Sequence, residues 1–336
     1  LRVAVIGSGP AGIYASDLLM KSDRDVRVDL FERMPAPFGL IRYGVAPDHP
    51  RIKGIVNALY KVMEKPELRL LGNVDVGKDV TVSELQQFYD AVVFATGATA
   101  DRDLNIPGID LEGSHGAAEF VGFYDGNPEF PRTWDLSAEK VAVIGVGNSA
   151  MDCARTAIRN GARHVTCYAR RDESCISASE YEVSYAKLEG VGFRFCKAPV
   201  EIRENGLICR DTVKGEDGKF TQVEGSEIFY PHTGVIVSVS QGSESNLVKT
   251  TTGIETNQKG LLTVSEDGST TREGVFAGDA VMGARTVVEA VAVAKKVAES
   301  MDAYMKSLPV DDAADPYADI PVFRTPTSDV LAKQEL

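Results

Sequence analysis

The 336-residue sequence predicts an α/β protein of two Rossmann-like, doubly wound dinucleotide-binding domains, the second inserted into the first. Three stretches carry this prediction. "VAVIGSGPAGIYA" (residues 3–15) and "VIGVGNSAMDCA" (143–154) each run an apolar strand into a glycine turn and then a helix. "GVFAGDAVMGARTVVEAVAVAKKVAESM" (274–301) adds a late strand and a long helix that return to the first domain.

In the first stretch, Gly7, Gly9 and Gly12 form G-x-G-x-x-G, with Pro10 and Ala11 inside it. The first glycine permits the tight turn and the second lets a pyrophosphate approach the backbone. The third lets the helix pack close to the strand. Phosphate charge then sits on the helix N-terminus, where unpaired N–H groups favour an anion. The next strand, "VRVDLFE", ends in Glu32, 25 residues after Gly7, with Arg33 beside it. A carboxylate there binds both ribose hydroxyls.

The second stretch has Gly145, Gly147 and Ala150, with Asn148 and Ser149 opening the helix. Its following strand, "HVTCYA", ends in Arg170 and Arg171, and Gly145 to Arg170 is again 25 residues. A carboxylate pairs with a free 2′-hydroxyl and repels a 2′-phosphate; guanidinium groups invert that preference. The first domain is therefore expected to hold FAD and the second NADPH.

The late strand contains Gly278 and ends in Asp279, followed by a helix starting near Thr286 and Val287. An Asp so placed suits the ribityl chain of a flavin, and the helix N-terminus suits negative charge on the reduced ring. "FATGA" (94–98) is the matching internal strand, with Ala95, Thr96 and Gly97 at its end. "IPGIDLEG" and "EDGSTTREG" supply Pro, Gly and Ser where the chain is expected to cross between domains. The expected FAD domain is 1–112 plus 271–305, the NADPH domain 113–270, and 306–336 an extended acidic tail. Residues 201–232 read as hairpins with glycine turns.

The formal charge of −13 disfavours a general nucleic-acid surface, and every apolar run is too short to cross a membrane. The five cysteines are scattered, without a CxxC pair or a cluster or zinc spacing, and the four histidines are far apart, so no metal site is expected. Reduced thiols and the lack of a signal-peptide pattern predict a cytoplasmic protein.

"GSGPAG", "PAPFGLIRYGVAPDHPRIK" (35–53), "GNVDVGKDV" (72–80) and residues 101–128 resemble adrenodoxin reductase and its bacterial ferredoxin–NADP reductase relatives. "ARRDESCISASEYEVSYAKLEGVGF" (169–193) and "VFAGDAVMGARTVVEA" (275–290) are similar to the small subunit of NADPH-dependent glutamate synthase, which belongs to the same glutathione-reductase-like superfamily. The resemblance implies that Gly39, Leu40 and Val74 join the FAD contacts, that Glu182 joins the NADPH contacts, and that His49 lies near the flavin. It further implies a flavoenzyme in which NADPH delivers a hydride to flavin N5. Single electrons then pass to an iron–sulfur acceptor, either a ferredoxin or a cluster-bearing partner subunit. The alternatives are a component of a larger flavin/iron–sulfur complex, as in glutamate synthase, and a non-catalytic scaffold that keeps its nucleotide sites. A disulfide reductase would need a redox cysteine pair, which this spacing does not offer.

Overall fold

The computed structural model describes residues 1–97, 100–101, 104–130, 134–136, 139–239, 241–242, 246–257, 261–278 and 287–309. These form two compact units. Unit 1 comprises Leu1–Phe38, Ile55–Gly97 and the described residues from 246 onward; unit 2 comprises Gly39–Gly54 and the described residues between 100 and 242.

Unit 1 is an all-parallel sheet of β1 (Arg2–Ile6), β2 (Arg27–Glu32), β3 (Leu68–Gly72), β4 (Ala91–Phe94) and the late strand β16 (Val275–Ala277), in the order β16-β4-β1-β2-β3. Its strands are short apolar runs because both faces are covered. Ala4 and Ile6 are buried with Val92, Phe94, Leu247 and Leu262. On the opposite face Val5 lies under α1 (Pro10–Leu19), whose Ala11 and Ala15 meet Ala294 of α10 (Val287–Ser307). Small side chains at that contact let the two helices approach closely. Each fully buried Val, Leu or Ile contributes about 1.5–3 kcal/mol. Farther along the chain, α4 (Val56–Met63) turns Leu59 and Val62 inward. The short helix α5 (Val82–Leu85) starts with a reciprocal cap. Thr81 Oγ1 accepts from the Glu84 N–H at 3.2 Å, and Glu84 Oε2 accepts from the Thr81 N–H at 2.8 Å.

Unit 2 begins with α2 (Gly39–Tyr43) and α3 (Pro50–Lys53). Its main sheet, also all-parallel, contains β6 (Ser114–Gly116), β7 (Lys140–Ile144), β8 (His164–Tyr168), β9 (Gly192–Arg194) and β14 (Gly234–Val237). The order is β6-β14-β7-β8-β9; its last four strands follow the pattern of β4-β1-β2-β3, but the outer strand β6 comes first in the chain where β16 comes last. Alternation again sorts the faces. Val141 and Val143 pack under the helices α6 (Ala117–Tyr124), α7 (Asn148–Arg159) and α8 (Glu180–Leu188), through Phe120, Met151, Ala154 and Val183. Ala142 and Ile144 face Ile202, Leu207 and Cys209. Those three belong to an antiparallel layer of β10 (Lys197–Arg203), β11 (Gly206–Lys214), β12 (Phe220–Gln222) and β13 (Ile228–Pro231), the hairpins expected at 201–232. At the start and end of its long segment, β5 (Ala100–Asp101) pairs antiparallel with β15 (Gln241–Gly242). Unit 1 also holds α9 (Asn246–Thr250).

The chain passes from unit 1 to unit 2 after Phe38 and again after Gly97, and returns after Gly54 and between residues 242 and 246, whereas the expected crossings are 112/113 and 270/271. Packing sets the difference. Leu104, Ile106, Ile109 and Leu111 lie against the core of Ile202, Leu207 and Val235, whereas Leu247 and Leu262 are buried with Phe94 and Val275. Residues 310–336, the expected tail, lie outside the described residues.

The third motif position separates the two glycine turns. A Cβ on Gly12 would stand 2.0 Å from the Gly7 carbonyl oxygen, whereas Ala150 is wholly buried with its methyl accommodated. Gly12→Ala should therefore destabilise unit 1 by about 1–3 kcal/mol through overpacking. Ala150→Gly should cost roughly 0.5–1 kcal/mol through helix propensity. Urea denaturation of the two variants measures the contrast.

Candidate functional site

In unit 1 the chain leaves β1 at Gly7, whose φ of 108° is open to glycine. Its N–H donates to the Phe31 carbonyl at 2.8 Å, and a Cβ there would lie 2.2 Å from the Ala95 carbonyl oxygen. Gly9 caps α1, and a Cβ on it would meet nothing within 4 Å. The space beside the helix N-terminus is therefore open. Pro10 takes the first helical position, where its missing N–H is no loss. The amides of Ala11 and Gly12 precede the first helical hydrogen bond, from the Ile13 N–H to the Gly9 carbonyl.

Glu32 ends β2 beside this turn and is buried. Its Oε2 accepts from the Ser8 N–H at 3.0 Å and the Ser8 hydroxyl at 2.6 Å, and its Oε1 accepts from the Met34 N–H at 2.9 Å. Three donors thus hold the carboxylate in place and leave further lone-pair capacity for hydroxyl donors. The Val74 N–H donates to the Glu32 carbonyl at 3.0 Å, which places Val74 next to it. Arg33 is exposed.

Beyond β4, Ala95 is buried, Gly97 turns with a φ of 73°, and the Thr96 hydroxyl is buried with no hydrogen-bond partner. An orphaned buried hydroxyl beside an open helix N-terminus fits a bound polar group, and a dinucleotide supplies one. The Gly278 N–H donates to the Phe94 carbonyl at 2.9 Å. Asp279 and Thr286 lie outside the described residues, and Val287 is the first residue of α10.

Unit 2 repeats the turn. Gly145 has a φ of 137°, its N–H donates to the Tyr168 carbonyl at 3.0 Å, and a Cβ would stand 2.1 Å from the Ser238 carbonyl oxygen. Gly147 caps α7, with only the Ser177 hydroxyl near its missing Cβ, at 3.5 Å. Asn148 and Ser149 are exposed. The Asn148 Oδ1 accepts from the Ser179 N–H at 3.0 Å, so the first residue of α7 holds the N-cap of α8. After β8 the backbone is pinned. The Arg170 carbonyl accepts from the Thr212 hydroxyl at 2.7 Å and the Arg171 carbonyl from the Cys196 N–H at 3.0 Å. Both side chains are exposed, and among the described residues neither guanidinium has an ion-pair partner. Two free cations on a fixed loop suit an anionic ligand group.

The remaining candidates meet in one network of unit 2. His49 Nε2 lies 3.0 Å from Asp152 Oδ1 and within 4 Å of both Asp48 and Glu182. Glu182 is buried, and its Oε2 accepts from Arg155 Nη1 at 2.8 Å. Arg155, itself buried, also reaches Asp48 at 2.7 Å and Glu189 at 3.0 Å, and Arg159 bridges the same two carboxylates. Gly39 and Leu40 open the Gly39–Gly54 segment, which clusters with this unit rather than with the first. Nearby, Lys53 Nζ donates to Asp125 Oδ1 at 3.2 Å, and burial pushes the Asp125 carboxyl up to about 6.

Sequence reasoning overlooked Asp48, Asp152, Arg155 and Glu189. Asp152, Arg155 and Arg159 share helical spacing on α7, but their partners at 48, 49, 182 and 189 are remote in sequence. Burial opposes a charge on His49, yet Asp152, Asp48 and Glu182 together raise its pKa above the ordinary value. Burial likewise pushes the Asp152 carboxyl up, against the pull of His49. Both shifts describe a proton-attracting cluster of three carboxylates around one imidazole. On Asp48, burial is outweighed by Arg155 and Arg159, which keep its carboxyl below the usual range.

Because the folded pKa of His49 is raised, its stabilisation is complete below the unfolded value of about 6.5 and is lost as pH rises through the higher folded value. An NMR titration should find the imidazole pKa above about 6.5, and Asp152→Asn should lower it.

Comparison with known proteins shows the family and the fold. The family described as "Pyridine nucleotide-disulphide oxidoreductase" matches residues 1–297. NADPH:adrenodoxin oxidoreductase, mitochondrial, of Salvelinus fontinalis is 47% identical over 155 residues, which is 46% of this chain and 31% of that protein. NADPH-ferredoxin reductase FprA of Mycobacterium leprae is 48% identical over 163 residues, 47% of this chain and 36% of that protein. The chain thus spans about a third of the length of these curated relatives. The structure of Mycobacterium tuberculosis FprA in complex with NADPH superposes with a TM-score of 0.79 at 26% identity, covering 99% of this chain and 89% of that one. Thioredoxin reductase of T. acidophilum shares the fold, with a TM-score of 0.66 at 17% identity, over 91% of this chain and 98% of that one. No helix among the described residues is long and apolar enough to cross a membrane.

Proposed function

Because the chain belongs to the pyridine nucleotide-disulphide oxidoreductase family, we propose that it is an FAD-dependent oxidoreductase that moves electrons between NADP(H) and an iron–sulfur protein of the ferredoxin type. One observation carries the reading. At the ends of β2 and β8, each the strand next to the central one in its sheet, stand a buried carboxylate and, among the described residues, two guanidinium groups without an ion-pair partner. Glu32 would accept from the ribose hydroxyls of the FAD adenosine, with Val74 beside it. The N-terminal amides of α1 would meet the pyrophosphate in the open space next to Gly9, and the Thr96 hydroxyl would gain its missing partner. Gly39, Leu40, Gly278, Asp279, Thr286 and Val287 are assigned to the same cofactor by family resemblance. Arg170 and Arg171 would pair with the 2′-phosphate of NADPH, while Gly147, Asn148 and Ser149 offer the α7 N-terminus to its pyrophosphate.

FAD, when bound, accepts a hydride and hands electrons on one at a time, which is why an iron–sulfur acceptor suits it. His49 would hold a proton within its carboxylate cluster, and Glu182 would serve the nucleotide side through the network that Arg155 anchors. Two of the relatives are named for adrenodoxin and ferredoxin as acceptors, which supports that acceptor class here. Thiol chemistry finds no support. All five cysteines lie between residues 153 and 209, outside unit 1, and are free. Burial pushes the thiols of Cys167 and Cys209 up to about 12. Free thiols fit a reducing compartment.

The purified chain should show the absorbance bands of oxidised flavin and reduce a ferredoxin with NADPH. Protein that stays colourless after addition of FAD would end the flavoenzyme reading. If the flavin is reduced by NADPH but no ferredoxin is, and the chain co-purifies with a cluster-bearing protein, it is a component of a larger flavin/iron–sulfur complex. Replacing Arg170 and Arg171 with Ala should lower the NADPH-over-NADH preference in kcat/KM by about 10- to 100-fold, the scale of one or two charge-assisted hydrogen bonds. An unchanged preference would move the 2′-phosphate site elsewhere.

A further inference from the structure

We propose that unit 2 carries a second binding site, for a small organic cation, at the end of its sheet away from the glycine turn. A cavity of about 510 Å³ opens where β6, β7 and β14 begin, against Val141, Gly234 and Val235. The Gly145 turn follows the opposite end of β7. Dinucleotides bind doubly wound sheets beyond the carboxyl ends of the strands, so this cavity is not the nucleotide crevice. Its volume falls in the range that holds small ligands.

The lining decides the chemistry. One wall is aromatic: Trp134 packs edge-on against Phe120 with ring centroids 5.3 Å apart, and His115 meets the same indole at 4.2 Å. The charged side chains are Glu112, Glu139 and Glu204, and no Lys or Arg lines the cavity among the described residues. Glu112 and Glu204 are exposed at the surface. Glu139 lies deeper: its Oε2 is buried and has no hydrogen-bond partner. A buried carboxylate oxygen without a donor is costly, and an ammonium group supplies both charge and donors. An apolar body against Trp134 and Phe120, with a primary amine on Glu139, satisfies the aromatic wall and the orphaned oxygen together. Ring faces attract cations as well.

The test uses the whole chain and three probes of similar shape: phenethylamine, 2-phenylethanol and phenylacetate. Thermal melts and isothermal titration should show that phenethylamine binds and raises Tm, while the neutral and anionic probes do not. Glu139→Gln should weaken phenethylamine binding at least tenfold, and Glu204→Gln, at the exposed rim, should weaken it a few-fold. Equal binding of amine and alcohol, no binding of the amine at millimolar concentration, or unchanged binding to both variants would overturn the site. The comparison of probes on the unmodified chain decides the matter even where Glu139→Gln fails to fold. None of these readouts depends on flavin or NADPH.

Discussion

Everything in both units is arranged around one close approach of backbone to backbone. Gly7 and Gly145 each follow the central strand of a parallel sheet, adopt a positive φ, and press against the carbonyl that ends the neighbouring strand, Ala95 in one case and Ser238 in the other. Each donates its N–H to the last or next-to-last carbonyl of the strand on its other side. The turn is therefore clamped between two strands, with no room for a side chain. That clamp aims the N-termini of α1 and α7 over the sheet ends, with open space beside Gly9 and only the Ser177 hydroxyl beside Gly147. Helix dipoles and unpaired amides then favour an anion at the same point in both units.

On this shared frame, a few side chains decide what each unit can hold. Glu32 is fastened by two donors of Ser8 in the glycine turn and by the Met34 N–H, so its position costs no rearrangement when a ligand arrives. Arg170 and Arg171 sit on a loop whose carbonyls are pinned, while their charged ends stay in solvent. Preorganised backbone with free side chains is an economical way to bind a phosphate: the loop is already ordered and only the guanidinium rotamers must settle. The third-position residue shows how finely the frame is fitted, since α1 approaches its turn too closely for the methyl that α7 accepts.

The α7 helix serves twice. Its first turn follows the Gly145 turn, and its later residues Asp152, Arg155 and Arg159 tie the 39–54 segment and α8 into one ion-pair network. In a chain with 49 acidic and 36 basic residues, a cluster of carboxylates is expected to repel itself. Arg155 and Arg159 offset that repulsion, and Asp48 and Glu189 stay ionised because both arginines touch them. Among the described residues Asp152 has only His49 as a close cation, so burial prevails on it and the pair attracts a proton.

Local patterns were sufficient for much of this. The apolar runs, the glycine spacings, the 25-residue intervals to Glu32 and Arg170, and the hairpins at 201–232 are all short-range signals, written within a single βαβ or ββ unit. What only the tertiary structure decided is long-range. The boundaries of the units moved because Leu104 to Leu111 and Leu247 to Leu262 are ordinary apolar residues whose hosts lie far along the chain. His49 found Asp152 103 residues away, and Glu182 became a buried ion-pair partner, because the packing of α7 beside α8 set their surroundings. Periodicity specifies which side of an element is buried, but not against what; that choice belongs to the assembled core.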